Sequence, residues 1–200
     1  MTAGARLPLW KRGGSPRKAF HSIFPVMNEL PPIHTVRASR HESSALMMPQ
    51  DENTRGHVFG GAILAMLDKT AAVCAMRHAR LPCVTVSVDR VEFREPIMVG
   101  ELIIMKGSVN WVGKTSMEIG VRVEAENLLT GVRRHTNSCY ATFVALDDEG
   151  RPTKVPPLIC ESEEDHRRQR GAAARRQRRL EERDAERDAE RDAERVGRAQ

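Results

Sequence analysis

One carboxylate stands apart in the stretch from Asn53 to Phe93. Asp68 closes the run Gly60-Gly61-Ala62-Ile63-Leu64-Ala65-Met66-Leu67-Asp68. Its neighbours on a helix, Leu64, Leu67, Ala71, Ala72 and Ala75, are all small or apolar. An Asp in that setting costs helix propensity and desolvation, so it needs a partner or a chemical role. Two readings follow: a satisfied Asp capping a neighbouring loop, or a base or nucleophile. The glycine pair at the helix start adds a second function. Its backbone N–H groups lack helical acceptors, and no Cβ bars a ligand. Such a terminus favours negative charge, including charge developing on a carbonyl oxygen in acyl transfer.

Helix geometry limits how these groups cooperate. Eight residues separate Gly60 from Asp68, about 12 Å of helix. Donor and carboxylate on one helix therefore cannot meet at one carbon, which needs both within about 3 Å. A reaction using both draws them from two copies of the helix, across a dimer interface.

The surrounding elements follow from periodicity. A short strand is predicted from Ser44 to Met48, ended by Pro49, then a polar loop Gln50–His57. The helix is predicted from about Gly61 to Arg77 or His78, with Arg77, His78 and Arg80 suiting the negative end of its dipole and Pro82 stopping it. Val84, Val86 and Val88 alternate with Thr85, Ser87 and Asp89. Val91 and Phe93 continue on the opposite parity, which predicts a bulge near Asp89-Arg90. Further strands are predicted over Leu102–Trp111, around Met117–Ala125, and from Arg133 to Leu146. One long helix ahead of four antiparallel strands buries itself most economically inside a wrapped sheet, an α+β arrangement.

Composition divides the 200 residues into three parts. The net charge of +5 resolves into +6 for residues 1–40, −1 for 41–160 and 0 for 161–200. The basic excess thus sits on the N-terminal arm, not on the folded module, which argues against a nucleic-acid partner. Little order is expected in that arm, which suits either a transit peptide or a leader upstream of a start at Met27. Residues 161–200 offer no apolar stripe, and within them Arg183-Asp184-Ala185-Glu186 recurs at Arg187 and Arg191, a period of four. They read as a solvated, fraying helix that the fold does not require, the alternative being partner or RNA binding through Arg175–Arg179. No apolar run reaches membrane-spanning length. Cys74, Cys83, Cys139 and Cys160 form no CxxC pair, so reduced thiols and a cytoplasmic location are the economical reading.

Several linked motifs resemble the hot-dog-fold acyl-CoA thioesterases, in particular the small bacterial and brain-type cytosolic acyl-CoA hydrolases. They are Met48 through Gly61, Leu67-Asp68, Val84 to Asp89, Phe93-Arg94-Glu95-Pro96-Ile97, Gly113-Lys114-Thr115-Ser116-Met117 and Thr142 to Leu146. The resemblance covers about Glu42 to Pro157. It implies a hot-dog fold with the sheet wrapped around one central helix, and hydrolysis of fatty acyl-CoA to fatty acid and CoA. It also implies self-association as a dimer and a hexamer built as a trimer of dimers. Asp68 would be base or nucleophile, with Gly60 and Gly61 as oxyanion donors. Asn53 matches an active-site Asn of the brain-type enzyme, its alternative being an Asx turn before Gly56. Thr85 and Ser116 would line the acyl tunnel. Lys114, Arg90 and Arg94 are candidates for the CoA phosphates, and His57 is a loop residue near the site. No metal-ligand cluster or dinucleotide fingerprint appears, so no cofactor is expected. The rival reading is a non-catalytic acyl-CoA sensor or scaffold. A hot-dog hydratase fits less well, because no His follows Gly61 until His78.

Overall fold

The structure, a computed structural model, describes residues 34–197 except Arg90 and Arg94. Expectations about the basic arm up to residue 33, and about those two arginines, lie outside the described residues. The elements in chain order are α1 (Val36–Ser39), β1 (His41–Leu46), a 3-10 turn (Pro49–Asp51) and α2 (Gly60–Ala79). Then come β2 (Cys83–Val88), β3 (Leu102–Val112), β4 (Ser116–Asn127), β5 (Val132–Ala145) and α3 (Glu163–Gly197).

The five strands form one antiparallel sheet in the order β1-β3-β4-β5-β2. It curls around α2, the hot-dog arrangement. Leu67, Ala71, Cys74 and Ala75 are fully buried against Ile103, Met105, Ile119, Val121 and Phe143. Small helix residues permit a close approach, and Gly107 completes it: a Cβ there would lie 2.7 Å from Cys74 Sγ. The inward residues are the odd-numbered ones in β4, in β3 up to Val109 and in β5 from Asn137 on. There the alternation read from sequence becomes a core face; register shifts change the parity beyond those points. At its C-terminus α2 closes on Arg80, whose φ of 56° makes it a left-handed cap donating to the Met76 carbonyl at 2.9 Å.

Four features differ from the sequence reading. The bulge in β2 falls between Thr85 and Ser87, not near Asp89-Arg90. Skipping Val86 keeps both Thr85, opposite Phe143, and Val88, opposite Ala141, on the inner face, while Val86 is 62% exposed. His78 is no terminal cation. It is buried, with Nε2 3.0 Å from the Pro156 carbonyl and its ring edge-on to His34. Burial, and secondarily the His34 charge, hold its pKa below the usual histidine value, against the Pro156 hydrogen bond. Order also begins before residue 41: Thr35 caps α1, and the Ser39 hydroxyl accepts the Val109 N–H at 3.0 Å.

The fourth difference is the tail. α3 is not simply solvated; its first turns cover the outer face of β3–β5. Ala172 is fully buried, and Arg175 and Arg179 reach Glu118 at 2.7 and 2.9 Å. Glu118 is 1% exposed. Arg179 also meets Asp89 at 2.7 Å, and the Arg175 guanidinium lies 3.5 Å over the Tyr140 ring. The packing is ionic rather than apolar, which a search for an apolar stripe cannot detect.

Candidate active site

The loop before α2 is built to present the helix start. The Asn53 side-chain oxygen accepts the Arg55 N–H at 2.8 Å and the His57 N–H at 3.3 Å. This is the Asx-turn role, helped by the positive φ of Gly56 at 79°. Backbone bonds from Val58 to Ile97 and from Phe59 to Asp51 pin the loop's far end. α2 then opens with no side-chain cap. Among the described residues, the N–H groups of Gly60 and Gly61 find no acceptor. Two half-exposed rings flank the glycines. A Cβ on Gly61 would lie 2.2 Å from the Phe59 ring, and one on Gly60 would lie 3.5 Å from Phe93.

Two turns further along, Asp68 faces an open apolar cleft with Leu64, Ala65, Val88, Val91 and Phe93. Thr85, on the inner face of β2, donates its hydroxyl to Asp68 Oδ1 at 2.6 Å. That bond fixes one carboxylate oxygen, and among the described residues the other makes no hydrogen bond. A second carboxylate, Asp89, lies on the cleft's rim, but Arg179 occupies it. Burial pushes the Asp89 carboxyl up, with Arg179 opposing. Among the described residues, Asp68 carries no such ion pair.

Asp68 and Thr85 are therefore brought together, and Asn53, His57, Gly60 and Gly61 share one loop-to-helix segment. Ser116 and Lys114 lie elsewhere. Ser116 pairs with Val144 and shares the outward parity of Glu118, while Lys114 is exposed in the β3–β4 hairpin. Val88, Val91 and Phe93 are cleft residues that the sequence reading did not single out. The only signal for them was the parity change after Asp89. Among the described residues, no cluster of His, Cys, Asp and Glu could hold a metal ion, and no helix is long and apolar enough to cross a membrane.

Comparison with known proteins fits this geometry. The thioesterase superfamily profile matches residues 55–132. Protein VdlD of Helicobacter pylori is 40% identical over 147 residues, covering 74% of this chain and 84% of that one. The uncharacterized acyl-CoA thioester hydrolase YkhA of Bacillus subtilis is 36% identical over 137 residues, 68% and 80% of the two chains. Cytosolic acyl coenzyme A thioester hydrolase of mouse is 34% identical over 148 residues, 73% of this chain but 38% of that one. Among solved structures, an apo-hexameric acyl-CoA thioesterase superposes with a TM-score of 0.72 at 40% identity, covering 75% and 97%. The acyl-CoA hydrolase of Staphylococcus aureus, solved with butyryl coenzyme A, coenzyme A and coenzyme A disulfide, gives 0.71 at 34% identity, covering 76% and 93%. Alanine variants of that enzyme at an Asn, an Asp and a Thr have also been solved, at the same chain intervals that separate Asn53, Asp68 and Thr85.

A curled antiparallel sheet around one long helix, with these relatives, defines the class. The chain belongs to the thioesterase superfamily, among its acyl-CoA thioester hydrolases.

Proposed function

We propose that the chain hydrolyses fatty acyl-CoA to free fatty acid and CoA, with Asp68 as the reacting carboxylate. The observation that carries this is the pairing of Asp68 with the Thr85 hydroxyl at the wall of an apolar cleft. The matching Asn, Asp and Thr intervals in the Staphylococcus aureus variants support it. Asp68 acts either as general base on water or as nucleophile forming a mixed anhydride. Thr85 is its positioning residue. The Gly60 and Gly61 N–H groups polarise the thioester carbonyl, and the Asn53 Nδ2, left over once its oxygen has capped the loop, orients that carbonyl or the water. His57 supports the loop. Lys114 and Ser116 contact substrate only where another subunit brings them to the cleft, and Arg90 is a candidate for the CoA phosphates.

The active unit is at least a dimer, because donors and carboxylate on one α2 stand about 12 Å apart. β2 is an edge strand exposing Val84 and Val86, and α2 exposes Leu64 and Met76. Such apolar edge surface suits burial against a second copy. The hexameric relative supports a hexamer, built here as a trimer of dimers, and the cytosolic mouse relative supports a cytoplasmic location.

The test is release of free CoA thiol from short, medium and long acyl-CoAs with no metal added. Turnover that Asp68→Ala abolishes, with CoA binding retained, is the expected result. Wild-type protein that binds acyl-CoA yet releases no thiol from any chain length would instead make it a sensor.

A further inference from the structure

A second cavity, of about 240 Å³, lies on the face of the sheet turned away from α2, beneath the first turns of α3. Five cations line it: Lys106, Arg122, Arg167, Arg168 and Arg175. They come in pairs over shared carboxylates. Lys106 and Arg122 reach Glu124 at 2.8 and 2.6 Å, and Arg167 and Arg168 reach Glu164 at 2.7 and 2.8 Å. The third pair, Arg175 and Arg179, is balanced by Glu118 together with Asp89. The first two pairs each set two positive charges against one negative. The wall therefore keeps a positive excess, carried by the partly exposed Lys106 and the exposed Arg122, Arg167 and Arg168, while the half-buried Arg175 is matched by Glu118.

A neutral group completes the site. Asn110 is 4% exposed and lines the cavity, and among the described residues its amide makes no hydrogen bond. Its amide atoms stay open to solvent on the cavity side, unlike the shielded Asn137 Nδ2, and so can pair with a ligand that enters. Gly120 makes room for it: a Cβ there would lie 2.4 Å from Asn110 Nδ2. Gly171 lines the same cavity from the interior of α3.

We propose that this cavity binds a phosphate-bearing anion of one or two phosphoryl groups. Guanidinium forks suit phosphate oxygens, and an amide donor adds neutral recognition. The volume falls below the roughly 300–1,000 Å³ of sites that enclose a whole drug-sized ligand, so a phosphoryl head enters rather than an entire cofactor. The site lies across the sheet from Asp68, and the proposal stands whether or not the thioesterase reading does.

Calorimetric titration of the full chain with pyrophosphate tests it, at constant ionic strength set with chloride. Saturable binding, one per chain, is expected, unchanged in Asp68→Ala and weakened at least tenfold in Lys106→Gln combined with Arg168→Gln. Asn110→Asp, which sets a negative charge among the phosphate oxygens, should weaken it further. Parallel titrations with inorganic phosphate, ADP and CoA identify the source. Displacement of ADP or CoA by pyrophosphate, with the same sensitivity to the double variant, assigns the phosphoryl group to a cofactor. Response to phosphate and pyrophosphate alone assigns it to the free anion. No saturable binding at millimolar pyrophosphate, or equal binding by the folded double variant, overturns the proposal.

Discussion

Thr85 offers the sharpest test of how Asp68 is set. Thr85→Val keeps the shape and removes the hydroxyl that donates to Asp68 Oδ1 at 2.6 Å. A hydrogen bond to a charged group contributes about 1.5–3 kcal/mol. Thr85 is exposed, so solvent screening places it at the low end, about 1.5 kcal/mol. That corresponds to a roughly tenfold loss in kcat, at about 1.4 kcal/mol per decade. Asp68→Asn removes the base itself and should cost on the order of 10²–10⁴. If Thr85 acts only by orienting Asp68, the double variant should be no slower than Asp68→Asn alone, a coupling equal to the whole Thr85 effect. Thr85→Ser should restore most of the rate. Steady-state thiol release gives all four corners of the cycle. Additive losses, or a Thr85→Val that raises KM with kcat intact, would refute the positioning role and make Thr85 an independent substrate contact.

Three further outcomes are expected. Asp68→Ala and Gly61→Val, each inactive alone, should recover about a quarter of wild-type activity when mixed under subunit exchange, since half the dimers then carry one intact site; no recovery with exchange confirmed by mass spectrometry rejects the shared site. Replacing Arg175 and Arg179 together by Met strands Glu118 beneath α3, a loss of about 3–5 kcal/mol in denaturant unfolding, limited by the point at which α3 lifts and Glu118 rehydrates. Adding Glu118→Met should recover most of that loss, and a triple variant no more stable than the double one contradicts the ionic account of tail docking. His78 is buried with its pKa depressed, so its neutral form stabilises the fold fully above the unfolded value of about 6.5. That contribution is lost as pH falls through the lower folded value; His78→Gln should flatten the decline in thermal stability between about pH 7 and 5, and an unchanged slope assigns it to other groups.

What could be read from the sequence was whatever repeats over short distances. Met117, Ile119, Val121 and Val123 announced one buried face of β4, and the unbroken apolar run with Asp68 announced both the central helix and its anomalous carboxylate. Thr85 was in view as a tunnel residue, but its bond to Asp68 depends on the bulge at Val86, a register event that parity placed three to four residues too late. Asn53 was open between substrate contact and Asx turn; its oxygen takes the turn and its Nδ2 remains. The docking of α3 was invisible for a different reason. Glu118 meets Arg175 and Arg179 across some sixty residues of chain, and charged residues at helical spacing look the same whether water or a buried carboxylate faces them.

The two guanidinium groups on Glu118 also set a direction. From Glu181 to Arg191 every residue of α3 is exposed, yet the helix continues to Gly197. Residues 180–197 therefore form a strut about 27 Å long at the usual rise per residue. A flexible coil of equal length would have a comparable mean reach, about 23 Å, but would sweep all orientations. Here the bearing of the strut is fixed where it is anchored, by Arg175 and Arg179, and along it by ion pairs such as Asp184 with Arg187 at 3.1 Å. Small rotations at that anchor are magnified along the strut, so a seat formed by one carboxylate decides where in space its far end points.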